Sequence, residues 1–131
     1  MAGTSYLYAL AADPDSSTTL YNLGSLYYAR RQFELAALWF ERTLERDPSN
    51  MSARALLGLC YAEAGQTARA RRTLELALRE DPKSVEVWLA ASNVHLKRKD
   101  FPRALAAARQ AERLERSPRT ARQLYLVYRE M

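Results

Sequence analysis

The 131-residue chain is 48% apolar and 27% charged, which excludes a disordered polymer and fits one folded domain or a short array of repeats. A single cysteine, Cys60, excludes an internal disulfide, and no apolar run is long enough to span a bilayer, so no membrane insertion is expected. The net charge of +5 is uneven, because residues 97–131 carry +6 and residues 1–96 carry −1. An acidic partner would therefore bind the C-terminal third.

The first segment, residues 3–14, is predicted to be the second helix of a truncated repeat. Tyr6 and Pro14 align with Phe40 and Pro48 at a sequence offset of 34, in a stretch of similar pattern. These opening residues have no basic segment and only a short apolar core, which argues against a signal peptide. A cytoplasmic location is therefore expected.

The same offset recurs as a fixed period along the chain and divides it into predicted repeats at 17–50, 51–84 and 85–118. In each repeat, apolar residues at helical spacing predict a first helix, a polar turn and a second amphipathic helix. Three columns recur at this period: Gly24, Gly58 and Ser92; Tyr27, Tyr61 and His95; Ala36, Ala70 and Ala104.

The turns carry capping signals. Gly65 is predicted to take a left-handed conformation after the first helix of the second repeat, since glycine has no Cβ to clash there. Thr67 and Asp100 are predicted N-caps of the second helices in repeats two and three.

The interior glycines need an explanation, because each costs a helix about 1 kcal/mol relative to alanine. We expect the two helices of a repeat to cross where the glycine column meets the alanine column. The missing side chains would let the backbones approach closely.

These columns resemble the tetratricopeptide repeat pattern, W-x2-L-G-x2-Y, then A-x3-F, then P. The first repeat departs from it only in the tryptophan slot, the second has Arg54 in that slot, and the third keeps Trp88 but has Ala91, Ser92 and His95. The resemblance implies an all-α, right-handed α-solenoid of helix-turn-helix repeats. Residues 119–131 would then form a C-terminal capping helix, with Leu124, Val127 and Tyr128 facing inward.

Membership in such a family implies a protein–protein interaction module, acting as adaptor, scaffold or chaperone. The first helices would line a concave groove that accepts a partner peptide or helix. The predicted groove residues are Tyr21, Ser25, Tyr28, Ala55, Leu59, Ala62, Leu89, Asn93 and Leu96.

One subgroup of the family grips the C-terminal carboxylate of heat-shock chaperones with basic and amide side chains. The corresponding positions here hold Tyr21, Ser25, Leu56, Glu86 and Ala90. Basic residues are missing from this set, and Glu86 would repel a carboxylate. A chaperone-tail clamp is therefore not expected.

Two alternatives remain open. An Arg-rich basic patch could bind nucleic acid or an acidic protein, although nucleic acid is the less favoured partner because no RNA-stacking motif is present. The patch comprises Lys97, Arg98, Lys99, Arg103, Arg119 and Arg122. The truncated first repeat could also support self-association, so a monomer or weak homo-oligomer is expected.

No constellation for catalysis emerges. His95 is the only histidine and stands in a tyrosine column, which predicts a packing role. Cys60 shares a column with Leu26 and Val94 and is expected in the core. We therefore expect no enzyme activity, no catalytic residue, no metal site and no cofactor.

Overall fold

The computed structural model describes residues 16–131, so the predicted helix at residues 3–14 lies outside the described part of the chain. That part consists of seven α-helices and contains no strand. They are α1 (Ser17–Ala29), α2 (Phe33–Arg46), α3 (Met51–Glu63), α4 (Thr67–Glu80), α5 (Val85–Lys97), α6 (Phe101–Leu114) and α7 (Pro118–Glu130). The all-α prediction is confirmed.

A three-residue turn joins the helices of each pair, and its second residue is left-handed. Gly65 has φ +83°, as predicted, and the N–H of Gln66 donates to the Tyr61 carbonyl at 2.8 Å to close the turn. Arg31 and Lys99, one repeat before and after, have φ +61° despite their side chains. The turn therefore imposes the left-handed conformation, and two of the three turns of this kind have no glycine at that position.

Side chains cap the N-termini of some of the helices. The Asp100 carboxylate accepts from the Arg103 N–H at 3.4 Å, which confirms its predicted cap. The prediction for Thr67 is wrong, because Gln66 is the cap residue and Thr67 is already the first residue of α4. The left-handed Gly65 brings the chain into the helix one residue earlier than the hydroxyl signal indicated.

The residue in the tryptophan slot bonds the first helix to the preceding loop in the second and third repeats. The indole Nε1 of Trp88 donates to the Pro82 carbonyl at 2.7 Å. One repeat earlier, the guanidinium of Arg54 donates to the Pro48 carbonyl at 3.1 and 3.0 Å. Arginine therefore replaces tryptophan in the family pattern while keeping the same hydrogen bond.

The glycine column makes room for a side chain of the second helix. A Cβ added to Gly24 would lie 2.6 Å from the Phe40 ring, and one added to Gly58 would lie 2.6 Å from Leu74 Cδ2. Phe40 and Leu74 follow the alanine column by four residues and are almost fully buried. The close approach is thus confirmed, and the atoms nearest to each glycine belong to this bulky column.

The third repeat reverses this arrangement. Ser92 replaces the glycine, and Ala108 stands where the other repeats have Phe40 and Leu74. The Ser92 hydroxyl donates to the Ala104 carbonyl at 2.8 Å, and all three residues are inaccessible to solvent. A larger residue on α5 is thus compensated by a smaller one on α6.

The helices form two layers. In the first layer, α3, α5 and α7 pack on one another in that order, whereas α2, α4 and α6 pack extensively only on first-layer helices within residues 16–131. In a curved solenoid, the layer whose helices lie closer to one another is on the concave side. The first helices of the second and third repeats, together with α7, therefore form the concave side of a solenoid.

The capping helix begins at Pro118 rather than at Arg119, after a loop of three residues. Its buried residues are Thr120, Gln123 and Val127, and Leu124 packs beside Val127. Tyr128 is 51% exposed, so the prediction that it faces inward is wrong. The loops before α3 and α5 have four residues, so the loop before α7 is one residue shorter. Residues of α7 therefore align with those of α5 at an offset of 33, and Thr120 and Val127 occupy the places that Val87 and Val94 have in α5.

Candidate functional site

The aromatic end of the predicted groove lies on α1. Tyr21, Ser25 and Tyr28 are all half-buried. The Tyr21 ring lies 5.7 Å from the Phe40 ring, and the Tyr28 ring packs edge-on against Phe33 at 5.4 Å. Both tyrosines therefore contribute one side of the ring to the core and leave part of the other accessible.

The middle of the predicted groove is more closed than the sequence indicated. Ala55 and Ala62 on α3 are 5% and 4% exposed and belong to the hydrophobic core. The prediction that they line an accessible surface is wrong, because α3 is the central helix and is covered by α2, α4 and α5. Leu59 is half-buried and packs partly on the same core.

A cleft of about 580 Å³ opens between α5 and α7. Two predicted groove residues, Leu89 and Asn93, form its α5 side, whereas Leu96, at the far end of α5, packs partly on the core. Two members of the predicted basic patch, Arg119 and Arg122, line its α7 side. The structure thus brings together residues that the sequence had assigned to separate surfaces.

The floor of this cleft is held by a polar network. Gln123 is 6% exposed, and its Nε2 donates to Ser92 Oγ and to Asn93 Oδ1, both at 3.0 Å. These bonds orient the Asn93 amide so that its Nδ2, which has no partner among the described residues, remains available to a ligand. Leu126 adds an apolar wall.

Sequence reasoning missed Gln123 and Leu126. Their signal is a sequence offset of 33 rather than 34, which places Gln123 with Ala90 and Leu126 with Asn93. A polar residue replacing a buried alanine would then have indicated a hydrogen-bonded core position.

The two arginines of the cleft differ in electrostatic state. Arg119 bonds Glu115 at 2.6 and 2.9 Å and Glu86 at 3.1 Å, and these bonds raise its pKa. The same contact, with a bond from Ser117, lowers the pKa of Glu115 to about 2. Arg122 is exposed and has no hydrogen bond or ion pair to any described residue. It is therefore the cation that a bound acceptor would meet.

The predicted basic patch is not one surface. Lys97, Arg98, Lys99 and Arg103 surround the turn after α5, whereas Arg119 contacts Glu86 at the opposite end of that helix. The eleven residue steps from Glu86 to Lys97 correspond to about 16 Å of helix. The prediction of a single patch of six cations is therefore wrong, because the length of α5 separates its members.

Two of the cations around the turn after α5 are also paired with carboxylates. Lys97 pairs with Glu63 at 3.0 Å, and Arg103 with Asp100 at 3.6 Å.

Residues 16–131 group no three His, Cys, Asp or Glu side chains that could hold a metal ion. Within the same residues, no helix has the length and apolarity that a bilayer span requires.

Cys60 lies in the core, as predicted. It is inaccessible to solvent, and burial, with a smaller effect from Glu63, raises the pKa of its thiol to about 12. The thiolate that would act as nucleophile or metal ligand is therefore strongly disfavoured.

Comparison with protein-family models gives three matches, all described as tetratricopeptide repeat. One model matches residues 2–50 and 21–85, and a second matches residues 61–125. The chain belongs to the tetratricopeptide repeat family. The family pattern thus extends across the helix pairs described above, including the third repeat with its altered columns. No curated protein sequence matches the chain significantly.

Solved tetratricopeptide repeat structures share the fold. The protein TTC0263 of Thermus thermophilus has a TM-score of 0.90 at 22% identity, over 98% of this chain and 72% of that one. The Sgt2 domain from Aspergillus fumigatus has a TM-score of 0.76 at 24% identity, over 87% and 78%. The first domain of Spaghetti (RPAP3), bound to the HSP90 peptide SRMEEVD, has 0.72 at 14%, over 86% and 90%. At these identities the likeness shows the fold alone.

Proposed function

We propose that this chain is a protein-interaction module that holds an extended segment of a partner protein on its concave side. The observation that carries the proposal is the cleft between α5 and α7, where apolar, amide and cationic groups converge on one concave surface. The related fold of Spaghetti (RPAP3) holds a peptide, which supports the same use of the solenoid here.

The cleft indicates the chemistry of the segment. Leu89 and Leu126 would contact an apolar side chain, while Asn93 Nδ2 and the Arg122 guanidinium would donate to acceptors beside it. Arg119 is already engaged by Glu86 and would contribute little further charge. We therefore expect a segment with one apolar anchor flanked by carbonyl or carboxylate oxygens.

A chaperone tail does not fit the positions that the clamp subgroup uses. Glu86 is charged and paired with Arg119, and Ala90 is only 2% exposed. The peptide SRMEEVD is therefore a suitable negative probe, and we expect no saturable binding.

The test uses a peptide library displayed on phage and selected on the intact protein. Peptides recovered with wild type should lose at least tenfold in affinity with Leu89→Asp, since the substitution places a charge in the apolar part of the cleft. The matched control is Leu76→Asp on α4, where the leucine is 46% exposed on the other layer. Equal binding by both variants, or failure to select any peptide, would refute the proposal.

Salt dependence separates this proposal from the alternatives. Nucleic acid binding should weaken steeply with ionic strength, whereas an apolar peptide anchor should respond little.

Self-association through the N-terminal segment stays a prediction, and light scattering over a concentration series would test it.

A further inference from the structure

The outer side of α7 is an uncovered surface at one end of the helix stack. Within residues 16–131, α7 packs on α6 and, to a smaller extent, on α5. On its outer side, Tyr125 is 63% exposed and Tyr128 is 51% exposed. Ala121 is exposed beside them and Leu124 is half-buried, so these residues recur at the spacing of one helix face.

The sequence of α7 keeps the pattern of a first helix. At the offset of 33, Leu124 stands in the column of Leu57, and Tyr128 follows in the column of the second repeat's tyrosine. In the second repeat, Leu57 and Tyr61 are 6% and 5% exposed, and the guanidinium of Arg69 on α4 lies 4.5 Å from the Tyr61 ring centre. The outer face of α7 thus presents residues that a second helix contacts one repeat earlier, with no described helix against them.

A bulky residue stands where a second helix would cross α7. Tyr125 follows Ser92 at the offset of 33 and so occupies the glycine column. At this crossing in the second repeat, Gly58 lies against Leu74. One repeat later the larger Ser92 is matched by the smaller Ala108. A helix that crosses α7 here must therefore carry glycine or alanine opposite Tyr125, because a larger side chain would compete with the ring for the same space.

The charge beside this face is reversed relative to the second repeat. There, Glu41 of α2 accepts a hydrogen bond from Tyr61 and pairs with Arg69 of α4 at 3.8 Å. Arg109 stands two repeats after Glu41, and its Nη2 donates to the Tyr128 hydroxyl at 3.0 Å. Within the described chain Arg109 has no carboxylate partner, so the matching helix needs a carboxylate where α4 has Arg69.

A second copy of this chain meets neither requirement. Its predicted second-helix segment, residues 3–14, aligns with α2 at an offset of 34. That register puts Tyr6 in the column of Leu74, so two tyrosines would compete for the crossing. Met1 falls in the column of Arg69, so the arginine of α6 would meet no carboxylate. Both mismatches favour a helix of a different protein.

We propose that the outer face of α7 binds an amphipathic helix of another protein, which crosses α7 as the second helix of a repeat does. This helix has a carboxylate in the column of Arg69 and a glycine or alanine five residues later, in the column of Leu74. The leucine and tyrosines of α7 supply the apolar contact, and the charges supply selectivity. The surface is distinct from the concave cleft and gives the module a second partner.

The chain itself supplies the probe. A peptide of residues 100–117 has Ala108 in the size-matched column, and Arg103→Glu adds the carboxylate. A staple on the outer side of the peptide keeps it helical, since isolated helices of this length are marginal in water. Fluorescence anisotropy with the whole protein should show saturable binding. The unmodified peptide should bind about tenfold more weakly, because it sets Arg103 against Arg109.

Two reciprocal exchanges assign the binding to this face. On the Arg109→Glu protein, the unmodified peptide should become the tighter ligand. Ala108→Phe in the Arg103→Glu peptide should weaken binding about tenfold on wild type but not on the Tyr125→Gly protein, where glycine leaves room for phenylalanine. The matched control, Leu76→Asp on α4, should leave every affinity unchanged.

The outcomes that would overturn the proposal are distinct. They are no saturable binding of the Arg103→Glu peptide, or an order of affinities that neither exchange changes in variants with wild-type circular dichroism. Wild-type dimers that Tyr125→Asp dissociates would assign the face to a second copy. Binding of labelled oligothymidine that Tyr125→Asp abolishes would assign it to nucleic acid, and either result would refute the helix partner.

Discussion

Replacement of Gly58 by alanine tests the close approach of α3 and α4. Alanine at an exposed helix position would stabilise the protein by about 1 kcal/mol relative to glycine. Here the added Cβ would lie 2.6 Å from Leu74 Cδ2 and 2.7 Å from Leu74 Cγ, and Leu74 is only 2% exposed. Overpacking of this kind costs about 1–3 kcal/mol. We therefore expect Gly58→Ala to lower the free energy of unfolding by about 1 kcal/mol.

A double-mutant cycle with Leu74→Ala assigns the loss to this contact. Leu74→Ala alone should cost about 2–5 kcal/mol, because it leaves a cavity in the core. In that background the clash is removed, so Gly58→Ala should become stabilising by about 1 kcal/mol and the coupling should be about 2 kcal/mol. Urea denaturation followed by circular dichroism measures all four proteins. A Gly58→Ala variant more stable than wild type would show that the packing argument is wrong.

Three further effects follow from the structure. Lys99→Gly should stabilise by about 0.5–1 kcal/mol in urea denaturation, because it removes left-handed strain that exceeds the added backbone entropy; a loss would contradict the turn geometry. Because the pKa of Glu115 is lowered, its bond to Arg119 stabilises the fold above the unfolded pKa of about 4.3 and is lost as pH falls toward about 2; Glu115→Gln should abolish this component of the pH profile. Cys60 should react with a thiol reagent at neutral pH only through an opened or unfolded state, and prompt labelling would disprove its burial.

Most of the helical architecture is predictable from the repeat period. The columns place each helix pair, and Gly65 and Asp100 mark their turns correctly. Arg31 and Lys99 gave no signal, since a left-handed turn imposed by its hydrogen bonds tolerates a side chain that propensity alone would exclude. Local chemistry thus located the turns but not the strain within them.

The candidate site was less predictable, because it depends on which helices touch. Ala55 and Ala62 have the spacing of an open face, yet the packing of α5 on α3 buries them. Arg119 was assigned by its charge to a patch with Lys97, although the length of α5 separates the two. Sequence gives the residues on a face, while accessibility and charge clustering require the distances between elements.

The pairing of Ser92 with Ala108, in contrast to Gly24 with Phe40, has a consequence for recombination among repeats. A chimera that exchanged only the second helices would set a phenylalanine against a serine in one hairpin and leave a void in the other. An exchange of whole hairpins would keep each matched pair together. The hairpin, rather than the single helix, is therefore the smallest portion of this protein that keeps these matched residues together when it is exchanged.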